Sequence, residues 1–215
     1  MKKQTRLCFL TSAVLLVLFV VWTLLLGFVD VQAIGPEGSS VGFATLNGAF
    51  HQLTGVHMSF YELTDLLSII PLGLVGGFGL LGLWQLIQRK SLLKVDFSLW
   101  MLGCFYVLVM AAFVLFEILA VNYRPILIEG VLEASYPSST TMLVLCVLPT
   151  AAMQFHARIH NSVFKRLVVT ACLALMVLML GGRLLSGVHW LSDIIGGALL
   201  SGGLVALYTG LVSLK

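Results

Sequence analysis

The chain has 215 residues, of which 60% are hydrophobic and only 10% are charged, and its formal net charge is +3. Soluble domains carry about 25% charged residues, so this composition excludes an ordinary soluble protein and indicates an integral membrane protein. The length leaves room for about six helices of ~20 residues with short connections. We therefore expect one all-α membrane domain over residues 1–215, a polytopic bundle of six transmembrane helices.

Basic residues are unevenly shared between the two ends of the apolar runs. Ten of the twelve Lys and Arg residues fall on the side that holds both termini. Because cytoplasmic loops collect Lys and Arg, this pattern predicts a multi-pass protein of the plasma membrane with both termini in the cytoplasm. Arg124 and Arg183 are the two exceptions, so we expect them to serve a purpose other than topology.

The chain begins with an apolar run over residues 8–28, which is longer than the ~7–15-residue core of a signal peptide and predicts a retained span. Residues 29–65 are polar and glycine-rich but also hold aromatic residues. This pattern predicts an outer loop that lies on the membrane interface, with a short amphipathic helix that covers a site. The second span is expected over residues 66–87, where Gly73 and Gly77 predict close helix packing.

The third span, over residues 97–121, carries Glu117 about one turn from its outer end. The outer loop that follows ends in a proline and the hydroxyl residues 138–141. Hydroxyl side chains accept hydrogen bonds from the free N–H groups of a first turn, so these residues predict the start of the fourth span. The fifth span is expected over residues 167–181, and the sixth begins near residue 190.

The stretch between the fifth and sixth spans sets an arginine, a histidine and a carboxylate close together, as Arg183, His189 and Asp193. Ionisable groups in this position are costly unless they have a partner or a function. His189 and Asp193 share a face if the last helix starts near residue 190, so the carboxylate can hold one imidazole N–H. The other ring nitrogen is then free to act as a base or a nucleophile.

The predicted topology brings this stretch together with Arg124 and residues 138–141, at the outer ends of the third to sixth spans. Two guanidiniums and the free N–H groups of a helix start form an anion site, and an oriented histidine beside it can accept a phosphoryl group. Phosphoryl transfer depends mainly on positioning and charge neutralisation, so two arginines can replace magnesium. We therefore predict a site on the extracytoplasmic face that uses no metal and no other cofactor.

The pattern resembles that of the type 2 phosphatidic acid phosphatases, membrane lipid phosphatases related to bacterial acid phosphatases and vanadium haloperoxidases. Their three motifs are, in order, Lys-x6-Arg-Pro, Pro-Ser-Gly-His and Ser-Arg-x5-His-x3-Asp. The matching residues, within a phosphatase-like core over residues 117–203, are Arg124, Pro125, Pro137, Ser138, Arg183, His189 and Asp193.

The resemblance implies a role for each of the matched polar residues. His189 would be the nucleophile that forms a phosphohistidine, and Asp193 would orient it. Arg124 and Arg183 would hold the phosphate, with Ser138 as a further contact. The substrate it implies is a lipid phosphate monoester or a polyprenyl pyrophosphate, with no nucleic acid and no obligate protein partner.

Four motif positions differ from the family pattern. Glu117 replaces the first-motif lysine, Ser139 and Thr140 replace the glycine and histidine of the second motif, and Gly182 replaces the serine of the third. In the family, that histidine protonates the leaving alkoxide, and a positioned proton donor is worth roughly 10²- to 10⁴-fold in rate. Glu117 is the candidate replacement for this acid.

Three hypotheses about function stay open. The first is an enzyme with altered proton delivery, in which Glu117 is the acid or the leaving group is itself a phosphate. The second is a degenerate family member that binds a lipid phosphate without turnover, and the third is a small carrier whose ionisable residues form a proton or ion path. Two residue roles are also open: Glu117 can instead pair with one of the two arginines, and Ser139 and Thr140 either contact phosphate or only cap the helix.

Overall fold

The structure, a computed structural model, describes residues 3–214 and in that range is built from eight α-helices. Two short 3-10 turns and a few isolated β-bridges complete it. The helices are α1 (Lys3–Leu26), α2 (Ala44–Thr54), α3 (Met58–Leu67), α4 (Ile69–Arg89), α5 (Phe97–Leu119), α6 (Ser139–Arg158), α7 (Ser162–Ser186) and α8 (Leu191–Val212).

Six helical segments of the described chain are long and apolar enough to cross a membrane. They are α1, the segment Met58–Arg89 that joins α3 and α4, α5, α6, α7 and α8. A helix satisfies all of its backbone groups internally, which is why apolar runs of this length take that form in lipid. The all-α, six-span architecture predicted from the sequence is confirmed, while the side on which the termini lie stays a prediction.

The second predicted span, residues 66–87, corresponds to α4. Helix α3 precedes it and is separated from it only by Ser68, so the two form one apolar helical segment over Met58–Arg89. Residues 58–65 lie in the stretch that was predicted as an outer interfacial loop with a short amphipathic helix. Asp65 of α3 lies 3.4 Å from the guanidinium of Arg183, which ties α3 to α7.

Helices α6 and α8 form the centre of the bundle. Buried residues make up 61% of the apolar window of α6 and 50% of that of α8, against 11–17% in the other four spans. Small residues let neighbours approach α8, because a Cβ added at Gly203 would lie only 2.8 Å from the side chain of Leu16 on α1. The predicted packing role of Gly73 and Gly77 is wrong: a Cβ at either position would meet nothing within 4 Å, because α4 lies at the periphery.

Helix α2 lies outside the spans and is fixed to the start of α8 by one buried side chain. Asn47 donates through Nδ2 to the hydroxyl of Ser192 at 2.9 Å, and its Oδ1 accepts from the Ser192 backbone N–H at 3.1 Å. The segment before the second span is therefore a docked cap on the first turn of α8.

A polar cluster ties the bundle together at the end where α5 begins. Asp96 accepts from Gln85 Nε2 and from Arg158 NH1, each at 2.9 Å. Arg158 Nε in turn donates to Gln154 Oε1 at 3.0 Å. These residues, with Arg89 and Tyr208, are called the Asp96 cluster below: Gln85, Arg89, Asp96, Gln154, Arg158 and Tyr208.

Candidate active site

The turn between α7 and α8 brings two of the predicted residues together. Gly187 ends α7 with a φ of 69°, a left-handed conformation that favours glycine, and a Cβ there would also overlap the backbone carbonyl of Gly55. The chain therefore reverses within a few residues, and α8 starts at Leu191. His189 then lies in the turn and Asp193 in the first turn of α8.

The carboxylate of Asp193 is fully buried and held by two donors. Its Oδ2 accepts from the backbone N–H of Trp190 at 3.0 Å, which also caps the start of α8. Its Oδ1 accepts from Asn122 Nδ2 at 3.2 Å. His189 Nδ1 lies 3.7 Å from Oδ2, so the carboxylate stands beside the ring as the sequence spacing predicts.

The imidazole of His189 is only 4% exposed. Arg124 NH1 donates to His189 Nε2 at 3.4 Å, and because a guanidinium can only donate, the proton of the neutral ring lies on Nδ1, facing Asp193. Burial lowers the pKa of His189 to about 4, an effect that Asp193 opposes and the charge of Arg124 reinforces. At neutral pH the ring is therefore uncharged, with the Nε2 lone pair available to an electrophile.

Arg124 lies on a short extended segment between α5 and α6. The bridge between Tyr123 and Ala134 aligns this segment with the chain that returns toward α6. The Arg124 Nε lies 2.9 Å from Glu133 Oε2 in an ion pair. The guanidinium thus has a carboxylate on one side and the imidazole on the other.

Arg183 occupies the last turn of α7 and is 2% exposed. Its NH2 donates to Thr140 Oγ1 and lies 3.4 Å from Asp65 Oδ1. Its Nε and NH1 have no hydrogen-bond partner. The ring of Tyr61 lies 4.7 Å from the Arg183 Cζ and 5.9 Å from the Arg124 Cζ, so one aromatic face supports both cations. Two adjacent guanidiniums with unused donors are suited to bind an oxyanion.

The start of α6 supplies hydroxyls to the same region. Ser138 caps the helix, because its Oγ accepts from the backbone N–H of Thr141 at 3.4 Å and from the Thr141 hydroxyl at 3.0 Å. The Ser138 backbone N–H donates to the carbonyl oxygen of Asp193 at 3.2 Å and joins the two helix starts. Thr140 contacts Arg183 instead of capping, and Ser139 is part of a cavity wall.

A cavity of about 270 Å³ opens beside His189. Its polar lining is formed by Glu117, Arg124, Glu133, Ser135, Ser139 and His189. Glu117 is exposed at the end of α5. The alternative in which it pairs with an arginine is wrong, because the carboxylates beside the two arginines are Glu133 and Asp65. Among residues 3–214, no group of three His, Cys, Asp or Glu side chains could hold a metal ion.

Four residues of the site were absent from the sequence prediction: Tyr61, Asp65, Asn122 and Glu133. Of these, Asn122 left a signal, since it stands two residues before Arg124 in a segment that enters the site. One departure from the family pattern also has a cause in packing. A Cβ at Gly182 would lie 2.6 Å from the Thr64 methyl group, so α3 fills the space that a larger residue would need.

The model of the PAP2 superfamily matches residues 84–214, more than half of the chain. The chain belongs to the PAP2 superfamily. This confirms the family predicted from the motif residues, and the protein is a multi-pass membrane protein of lipid-phosphatase-like character. Among curated proteins, none matches this PAP2 chain.

A solved structure resembles this PAP2 protein over nearly its full length. It is a transmembrane PAP2 type phosphatidylglycerolphosphate phosphatase from Bacillus subtilis, with a TM-score of 0.60 and 21% sequence identity. The similarity covers 93% of this chain and 94% of the other. At this identity the likeness establishes the fold that the two chains share.

Proposed function

We propose that this PAP2 protein hydrolyses a phosphate monoester or a pyrophosphate of a lipid through a phosphohistidine at His189. The observation that carries the proposal is the buried, neutral imidazole between Asp193 at Nδ1 and the guanidinium of Arg124 at Nε2. Arg183 reinforces it, because two of its buried donor atoms have no partner. An imidazole oriented in this way beside two cations is a nucleophile with an anion site.

The reaction follows from these positions. The phosphate takes over the Arg124 donor that now faces Nε2, and Arg183 neutralises further charge on its oxygens. His189 Nε2 then attacks phosphorus, the bond to the leaving oxygen breaks, and Asp193 stabilises the imidazolium by holding Nδ1–H. Water next attacks phosphorus, the bond between phosphorus and Nε2 breaks, and the proton that water loses passes to the acid that protonated the leaving oxygen. Inorganic phosphate and the neutral ring result. Transfer of this kind depends on positioning and charge, which the two arginines supply.

The proton for the leaving oxygen is assigned to Glu117. Its support is that it lines the same cavity as His189 and Arg124, and neither arginine pairs with it. Thr140 cannot take this role, because a hydroxyl is too weak an acid and its oxygen is engaged by Arg183. A pyrophosphate leaves as a stabilised phosphate anion, so it needs less protonation than an ester does.

The second-motif residues are assigned to phosphate binding, one by direct contact and two by fixing the groups that make the contact. Ser139 contacts the phosphate directly from the cavity wall. Thr140 fixes the guanidinium of Arg183, and Ser138 caps the helix start that carries Ser139 and Thr140. Because ten of the twelve basic residues fall at the other ends of the spans, we place this site on the extracytoplasmic face of the plasma membrane.

A phosphate-release screen tests the proposed function. Purified protein in detergent, with EDTA present, is given phosphatidic acid, phosphatidylglycerol phosphate and polyprenyl pyrophosphate, and wild type is compared with His189→Ala. Wild type should release phosphate from at least one lipid, and the variant should lose at least ~10⁴-fold, as nucleophile removal does in other enzymes. The control is His51→Ala, since His51 is half-buried beside Trp190 but outside the site.

Activity that survives in His189→Ala would overturn the phosphohistidine mechanism. A second candidate is binding without turnover. It is favoured because Thr140 stands where the family has its histidine acid, and the Thr140 hydroxyl is engaged by Arg183. Binding without turnover is supported if the wild-type protein releases no phosphate from any of the lipids while orthovanadate still raises the thermal midpoint of the protein.

A further inference from the structure

Asn122 is a buried amide that has no part in the mechanism above. Its side chain is 1% exposed, and its Nδ2 donates to Asp193 Oδ1 at 3.2 Å. Asp193 is the carboxylate that faces His189 Nδ1 at 3.7 Å, so Asn122 contacts the group directly beside the histidine ring. A buried amide is costly unless its hydrogen bonds are made, which indicates that this contact is specific.

The two oxygens of Asp193 are held by different elements. Oδ2 accepts from the Trp190 backbone N–H and faces His189 Nδ1 at 3.7 Å. The donor that fixes Oδ1, and with it the rotation of the carboxylate plane, is Asn122. Without that donor only the Trp190 N–H restrains the carboxylate, so its plane can turn and change the direction in which Oδ2 faces the ring. Partners of this kind that orient a ligand or base typically change activity by about 10- to 100-fold.

The segment that carries Asn122 also carries Arg124. The Asn122 carbonyl accepts from Ser135 N–H at 2.8 Å, and Arg124 N–H donates to the Glu133 carbonyl at 3.0 Å, so the segment is extended and anchored. Side chains two residues apart in an extended segment point to the same side. Asn122 therefore reaches Asp193, behind one ring nitrogen, and Arg124 reaches the other nitrogen of His189.

We propose that Asn122 is a positioning residue that fixes the Asp193 carboxylate against His189 Nδ1 and so aims Nε2 at the phosphorus. This inference rests on the proposed function and extends the set of residues on which that function depends. It predicts that loss of the amide weakens steps in which Nε2 bonds to phosphorus, and leaves intact the steps in which only the arginines bind an anion.

The chain offers a matched control in Asn47. It is also a buried asparagine that holds the first turn of α8, but its partner is Ser192, one residue away from Asp193. Asn122→Leu and Asn47→Leu each remove a buried amide of the same size that contacts the first turn of α8. Both should lower the thermal midpoint, whereas only the first should affect the imidazole.

The experiment compares kcat, KM and two anionic inhibitors in wild type and both variants. For Asn122→Leu, kcat should fall about 10- to 100-fold with KM changed less than about threefold. Affinity for orthovanadate, which bonds to the nucleophile as phosphorus does in the transition state, should fall in parallel. Inhibition by inorganic phosphate, which the arginines hold, should be unchanged. Asn47→Leu should leave all four quantities at the wild-type values.

Equal effects of the two substitutions on kcat and orthovanadate would overturn the inference, as would a wild-type kcat in Asn122→Leu. Should that variant fail to fold, Asn122→Ser gives the same test, because its hydroxyl is too short to reach Asp193. A wild type that releases no phosphate overturns the proposed function alone. In that case the binding of orthovanadate and of phosphate is measured from the rise in thermal midpoint. The role of Asn122 is supported if Asn122→Leu weakens orthovanadate binding and leaves phosphate binding unchanged, and it is overturned if the two anions are affected equally.

Discussion

Two polar clusters hold arginine and carboxylate groups together in this bundle, and they differ in how completely their hydrogen bonds are made. In the Asp96 cluster, all three guanidinium nitrogens of Arg158 have a partner. In the candidate active site, Arg183 Nε and Arg183 NH1 have none. Buried polar atoms are almost always paired, so unpaired ones need an explanation such as a bound ligand. The comparison separates a cluster that holds helices together from one prepared for an anion.

Removing one arginine from each cluster should give the largest contrast. Arg183→Ala deletes the unused donors and should lower kcat/KM for phosphate release by about 10³-fold, as loss of a transition-state donor does. Arg158→Ala should instead cost about 1–3 kcal/mol of stability, because Asp96 and Gln154 lose a partner. The measurements are kcat/KM per folded molecule and the thermal midpoint. The contrast fails if Arg158→Ala lowers kcat/KM while the midpoint stays unchanged.

Glu117→Gln tests whether the active site contains an acid in addition to its anion site. If Glu117 protonates the leaving oxygen, cleavage of an alkyl phosphate ester should slow by about 10²-fold. An activated aryl phosphate, whose leaving group needs no proton, should be cleaved within a few-fold of the wild-type rate. The check is the ratio of the two rates in the variant and in wild type. Equal losses on both substrates would count against the assignment.

The smallest expected difference between the candidate active site and the Asp96 cluster is in how each changes the stability of the protein with pH. The pKa of His189 is about 4, below its ordinary value of 6.5, so between these values the unfolded chain binds a proton that the folded chain excludes. Stability is therefore lost as pH falls through that window, by at most about 3 kcal/mol. The Asp96 cluster should contribute little there, because hydrogen bonds from Arg158 and Gln85 hold the pKa of Asp96 below its ordinary value of 3.8, so its stabilisation is lost only as pH falls below that value.

His189→Gln gives the measurement for this difference. Glutamine does not titrate, so the thermal midpoint of the variant should fall less than that of wild type between pH 7 and pH 4.5. Parallel curves for the two proteins would show that His189 is not the group that excludes the proton.

The sequence was sufficient for the six spans because hydropathy and span length are local properties of the chain. It was also sufficient to place His189 beside Asp193, since four residues of separation at a helix start leave little choice of geometry. The continuity of α3 with the second span was not predicted, because residues 29–65 were interpreted as one interfacial loop. The contact that ties α3 to α7, between Asp65 and Arg183, joins residues 118 positions apart.

The partners of the two arginines were likewise beyond local reasoning. Glu117 was named as a possible partner of either arginine, but the chain that returns toward α6 places Glu133 beside Arg124 instead. Tyr61 lies beside both guanidiniums because α3 packs against α7. Helices that are distant in sequence pack in ways that the spacing of residues along the chain does not predict. The residues named from motifs were thus found, while those that support them from other elements were not.

The close approach of Thr64 to Gly182 has a consequence for anyone who would rebuild the usual family motif in this chain. Introducing serine at position 182 alone would force its Cβ into the methyl group of Thr64 and push α3 away from α7. The two positions are therefore coupled, and their substitutions will not be additive. A graft of the missing serine therefore has to be made together with a smaller residue at position 64.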